Sequence, residues 1–112
     1  MQKIEIVPLS VNKAFQGKRF KTPAYKKFER DCLLLLPKIK IPAVPLEVHY
    51  IFGFSSVLSD IGNPEKLVTD ILCKKYGFDD RFIYKMTIEK CIVDKGKEFI
   101  EFKISHYATA TN

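Results

Sequence analysis

Asp60, Asn63, Lys66 and Asp70 follow one another at steps of three, three and four residues, and a second acidic pair, Asp79-Asp80, comes after Gly77-Phe78. Carboxylates of this kind bind hard cations such as Mg²⁺, which takes one or two protein carboxylates and completes its shell with water and substrate phosphate. Such an ion stabilises the charge that develops in phosphodiester hydrolysis, and a nearby lysine assists. At about 100° per residue, Asn63, Lys66 and Asp70 fall on one stripe of a helix, with Leu67, Val68, Ile71 and Leu72 on the opposing apolar face. Asn63 is placed to cap that helix, and Asp60 precedes its positive end. A plainer reading makes Asn63 only a cap, Lys66–Asp70 a helical ion pair worth about 0.3 kcal/mol, and Asp79-Asp80 a solvated turn. The two acidic ends meet across the helix only if the chain folds back.

The elements that must position these residues are legible from periodicity. Lys3 to Val7 alternates and reads as a short strand ended by Pro8; Leu9 to Lys21 reads as a basic loop with Phe15 and Phe20 among its charges. Thr22-Pro23 starts a helix with Thr22 as N-cap, and Tyr25, Phe28, Cys32, Leu35 and Leu36 form its apolar face up to Pro37. Leu46, Val48, Tyr50, Phe52 and Phe54 line one face of the clearest strand. Asn63-Pro64 opens the second helix, which Gly77 stops. Phe82, Tyr84, Met86, Ile88 and Ile92 share a face of a third strand, and Asp94-Lys95-Gly96-Lys97 predicts a hairpin to a partner carrying Ile100, Phe102 and Ile104. The tail 105–112 is expected to fray. The fold class is α+β, one domain over 1–112, with a mostly antiparallel sheet of about four strands and two helices packed on one face.

Composition narrows the function. The chain has 112 residues and a net charge of +6. Residues 1–45 hold ten Lys and Arg against three Asp and Glu, whereas the remainder holds nine against ten. A basic front half beside clustered acids suits a polyanion-binding surface next to a cation site, although solubilising charge is the bland alternative. No apolar run reaches the roughly 18 residues of a membrane span, so a cytoplasmic location and no membrane partner are expected. Cys32, Cys73 and Cys91 are far apart and odd in number, which predicts reduced, mostly buried thiols rather than disulfides or zinc. His49 and His106 have no ligand-spaced partner and read as a strand-face and a tail histidine.

At these residues the sequence resembles the RusA family of Holliday junction resolvases. The family's central Asp-x-Asp-Asn, then Lys three residues on, then Asp four further, corresponds to Asp60-Ile61-Gly62-Asn63-Pro64-Glu65-Lys66 and Asp70, continuing to Gly77-Phe78-Asp79-Asp80. Pro8-Leu9-Ser10-Val11-Asn12-Lys13 looks like its opening Pro-x-Ser-x-Asn, followed by the basic run Gly17-Lys18-Arg19-Phe20-Lys21. The resemblance implies a homodimeric, Mg²⁺-dependent endonuclease (Mn²⁺ also serving) that nicks opposed strands of four-way DNA junctions in recombination and repair. It implies metal ligation by Asp60 and Asp80, catalysis by these two and Lys66, and support from Asn63, Asp70 and Asp79. DNA contacts are expected from Asn12, Lys13, Lys18, Arg19 and Lys21.

Gly62 departs from the pattern, because the family carries its second aspartate there. The loss removes a ligand and a negative charge where a cation would sit. Glu65 is the nearest other carboxylate. A second reading is therefore a junction-binding relative with weakened or lost cleavage. A third, an RNA-binding module, draws on the aromatics among the basic residues but finds no RNP-like motif or Gly-x-x-Gly loop to support it.

Overall fold

The computed structural model describes residues 1–16 and 20–108. Strand β1 (Gln2–Ile4) leads through a 3-10 turn at Val11–Lys13 to a two-stranded ribbon, β2 (Phe15–Gln16) and β3 (Phe20–Lys21). Helix α1 (Pro23–Leu35), strand β4 (Leu46–Phe54), helix α2 (Glu65–Tyr76), strand β5 (Ile83–Ile92) and strand β6 (Phe99–His106) follow.

The four-stranded sheet runs β1-β6-β4-β5. β1 and β4 pair antiparallel with β6, whereas β4 and β5 are parallel and joined through α2. This is the expected α+β class, with one parallel pair. The expected β5–β6 hairpin is not formed: β4 lies between them. The turn signal itself is real, because Lys97 N–H donates to the Asp94 carbonyl at 2.9 Å and Gly96 takes φ +93°. A reversal, however, does not fix which strand bonds which. β4 is the most apolar strand, and Leu46, Val48, Tyr50 and Phe52 are fully buried only when it is central.

Local chemistry sets the helix ends. Thr22 Oγ1 accepts from the Tyr25 N–H at 3.2 Å, and Pro23 occupies the first helical position. Leu36 leaves the helix with extended backbone, as the residue before Pro37 tends to do, and this exposes Leu35 while Leu36 stays buried. Gly77 closes α2 in the left-handed region at φ +72°. The faces of α1 and α2 carrying Tyr25, Phe28, Cys32, Leu67, Val68, Ile71 and Leu72 join β4 and β6 in one core.

Other expectations shift. β1 covers residues 2–4 rather than 3–7, and the basic loop contains the β2–β3 ribbon. Ser105 and His106 belong to β6, with His106 Nδ1 at 2.8 Å from the Ala43 carbonyl, so fraying does not begin at 105; residues 109–112 lie outside the described residues. β5 is an edge strand, so Tyr84 and Ile92 are exposed rather than buried. The three thiols are free, but Cys91 is exposed and Cys73 half-buried.

Candidate active site

The segment 60–64 is a pair of consecutive tight turns, Asn63 N–H to the Asp60 carbonyl at 3.3 Å and Glu65 N–H to the Gly62 carbonyl at 3.2 Å. These turns delay α2 until Glu65. Asn63 is consequently not its N-cap: that position is Pro64, without a side-chain cap bond, and Asn63 Nδ2 instead donates to Asp60 Oδ2 at 3.3 Å. Val11 N–H donates to the Asn63 carbonyl at 3.1 Å, which fastens the Pro8–Lys13 segment to this turn. Ser10, Lys13, Asp60 and Asn63 thereby line one cavity of about 260 Å³. Two motifs far apart in sequence share a wall.

Lys66 lies on the first turn of α2. Its Nζ donates to Asp70 Oδ1 at 3.2 Å and lies 3.8 Å from Asp80 Oδ2. Asp80 arrives there because Gly77 turns the chain and a 3-10 turn, Asp80–Phe82, follows. Asp79 caps that turn: its Oδ1 accepts from the Arg81 N–H at 3.0 Å, and Oδ2 lies 3.6 Å from Arg81 Nε. A cleft of about 290 Å³ is lined by Glu65, Lys66, Thr69 and Asp80 and by the start of β5. At that point Tyr84 is an extra residue in the ladder, because Leu46 pairs with Ile83 and Glu47 with Lys85.

The electrostatics follow from these neighbours. The hydrogen bond from Lys66 to Asp70, then the charges of Asp70, Asp80 and Glu65, raise the Lys66 pKa above its ordinary 10.5. Lys66 is therefore an ammonium at neutral pH, suited to holding a phosphate or a developing negative charge and unsuited to accepting a proton. Burial, then the carboxylates of Asp80, Asp70 and Asp79, push the Cys73 thiol up to about 11, which makes it unreactive.

Glu65 was only a remote stand-in at the level of sequence. Its Oε2 accepts from Thr69 Oγ1 at 2.9 Å, and Thr69 Oγ1 lies 2.7 Å from the buried Tyr50 hydroxyl. With Thr69 donating to the carboxylate, Tyr50 donates to Thr69, and the chain orients Glu65 along the cleft. The i,i+4 spacing of Glu65 and Thr69 was the available signal.

Asp60 and Asp80 line different cavities, and among the described residues no three His, Cys, Asp or Glu side chains converge to hold a metal. The donors present are all oxygen, as a hard cation requires, and they suit a site in which one or two carboxylates leave the remaining positions to water and phosphate. Gly62 contributes nothing to it.

Of the expected DNA contacts, Asn12 and Lys13 are exposed on the 3-10 turn beside the Asp60 cavity. Lys18 and Arg19 lie outside the described residues. Lys21 is engaged internally: its Nζ is 3.0 Å from Glu29 Oε2 and 5.0 Å from the Tyr25 ring centre. Lys74 approaches the same Glu29 at 3.5 Å, tying α2 to α1. Burial works to raise the Glu29 pKa, but the Lys21 hydrogen bond and the charges of Lys21 and Lys74 outweigh it and hold it below 4.5. The ionised Glu29 therefore stabilises the fold above that pH, and its contribution is lost as pH falls through the lowered folded value. Glu29→Gln is expected to cost about 1.5 kcal/mol at pH 7 and to flatten the stability loss in acid. Urea denaturation at pH 7 and pH 3 checks both, and equal losses at the two pH values would contradict them.

No family model matches this chain, and no curated protein matches it.

Proposed function

We propose that this chain is a RusA-type, Mg²⁺- or Mn²⁺-dependent endonuclease, acting in the cytoplasm as a homodimer that nicks opposed strands of four-way DNA junctions. The observation that carries the reading is the approach of Asp80 to Lys66, which also bonds Asp70, since it brings the late aspartate of the 60–80 motif beside the motif's lysine. The fastening of Val11 to Asn63 supports it independently, because the opening motif of the resembled family meets the central one there. In this reading the cation would be held at Asp60, with water and substrate phosphate completing its shell, and would supply charge stabilisation and an activated water. Asp80, in a different cavity, acts through Lys66. Lys66 steadies the phosphate, and Asp70 and Asp80 orient Lys66. Asn63 fixes the rotamer of Asp60, and Asp79 fixes the turn that presents Asp80. Asn12 and Lys13 face the DNA, and Lys18 and Arg19 of the same basic run are assigned to it as well, whereas Lys21 is held by Glu29.

The second reading is a junction-binding protein that no longer cuts, and Gly62 is what favours it. The two separate in one experiment on a synthetic four-way junction. Mg²⁺-dependent paired nicks, absent from a linear duplex, are expected. Tight binding that weakens steeply with salt, without cleavage in Mg²⁺ or Mn²⁺, gives the second reading instead. Absence of both binding and cleavage sinks the two together.

A further inference from the structure

The sheet has two edges of unequal kind. β1 is three residues long, a common way of blunting an edge. β5 is ten residues long and, among the described residues, bonded only to β4, so the backbone groups on its other side have no strand partner there. Long unpaired edges template the addition of another strand. We propose that β5 is the surface on which two copies of this chain join, antiparallel, about a two-fold axis through Thr87. The proposal takes from the functional reading only its pairing, not its chemistry.

The register follows from charge. In a continuous sheet the axis must pass through a residue, because facing partners share a side of the pleat. Axes at Met86, Thr87 and Ile88 are the central choices. Only the one at Thr87 sets Lys85 opposite Glu89, and it does so twice by symmetry. It also sets Met86 opposite Ile88 on the helix side of the sheet. Within one chain Lys85 Nζ lies 3.7 Å from Glu47 Oε2, and Glu89 pairs with His49. Joining two copies extends these into a row across four strands, Glu47, Lys85, then the second copy's Glu89 and His49, with no like charges adjacent. Opposite charges facing across strands add to the backbone bonds of the new ladder.

The placement suits a symmetric reaction. Ile83 to Met86 border the Lys66–Asp80 cleft, and Tyr84 lies three residues from the axis. At about 3.3 Å per residue the two clefts stand roughly 20 Å apart along the strands.

Light scattering behind a sizing column reads the mass. The expected value for the unaltered chain is twice 13.0 kDa. Lys85→Glu alone and Glu89→Lys alone are expected to yield the single mass, and the double variant to restore the pair. In a Cys91→Ser background, Thr87→Cys is expected to cross-link two chains on mild oxidation, because the two sulfurs face each other on the axis. A single mass for the unaltered chain at the highest soluble concentration overturns the proposal. A double mass that ignores the charge reversals and gives no Thr87→Cys cross-link overturns it as well, by assigning the contact elsewhere. Pairing through β5 without junction cleavage keeps this interface and overturns only the nuclease; paired nicks by a single-mass chain do the reverse.

Discussion

Lys66→Met is expected to reduce junction cleavage by about 10²- to 10³-fold, the usual cost of deleting one charge-stabilising group at a reacting centre. The side chain is 62% exposed and contributes nothing to the core, so thermal unfolding should hardly change. Its ammonium persists to above pH 10.5, because Asp70 and Asp80 favour the charged form. The sign of the pH effect follows: its assistance is present throughout the neutral range and is lost only as pH rises through the raised value. A rate profile that rises between pH 7 and 9 in the unaltered chain and is flat in Lys66→Met would show instead that this lysine loses its proton early and acts as a base. Lys66→Arg should recover part of the rate, since the charge is kept while the reach to both carboxylates changes.

Gly62→Asp is expected to raise Mg²⁺-dependent cleavage by about 10- to 100-fold, most clearly at low metal concentration. A Cβ at Gly62 would meet no atom within 4 Å, and the residue is not among those with positive φ, so aspartate fits without strain. The new carboxylate would stand between Asp60 and Asn63 in the turn, adding the charge that the spacing otherwise lacks. Affinity for Mn²⁺, followed by its paramagnetic resonance, separates causes. A rise in affinity together with rate locates the deficit at this position. A rise in affinity with no gain in rate places the deficit in the Lys66–Asp80 cleft.

The apolar helix stripes, the clearest strand, the cap of α1 and the stop of α2 are legible because each is written in local spacing, whereas the expected cap of α2 at Asn63 is displaced by the turns before it. Leu67, Val68, Ile71 and Leu72 are buried as their period requires, and Lys66 meets Asp70 as i,i+4 neighbours do. What escaped depends on partners remote in sequence. The turn at Asp94–Lys97 announced a reversal but not that β4 would stand between the two strands. The alternation of β5 gave a sidedness but not its position at the edge, where half of that side faces solvent. In the site, the sequence put Asp60 and Asp80 in one set, while the chain brings Asp80 to Lys66 and pairs Asp60 with Asn63. Glu65 was undervalued because its orientation comes through Thr69 from Tyr50, a residue on a strand. No window of sequence contains that relation.

The interposition of β4 between β5 and β6 has a bearing on how the molecule assembles. β4, α2 and β5 are consecutive, and their mutual pairing needs only the closure of the 55–82 segment. β6 instead bonds β4 on one side and β1 on the other, with Gln2 opposite Phe102 and Phe52 opposite Ile100. Such distant closures come at an entropic cost before any contact rewards them, which slows folding. The strand that arrives over the longest loops is also the one that seats the first strand. Until it docks, β1 has no strand partner among the described residues, so the beginning and the end of the sheet are gained or lost in a single step.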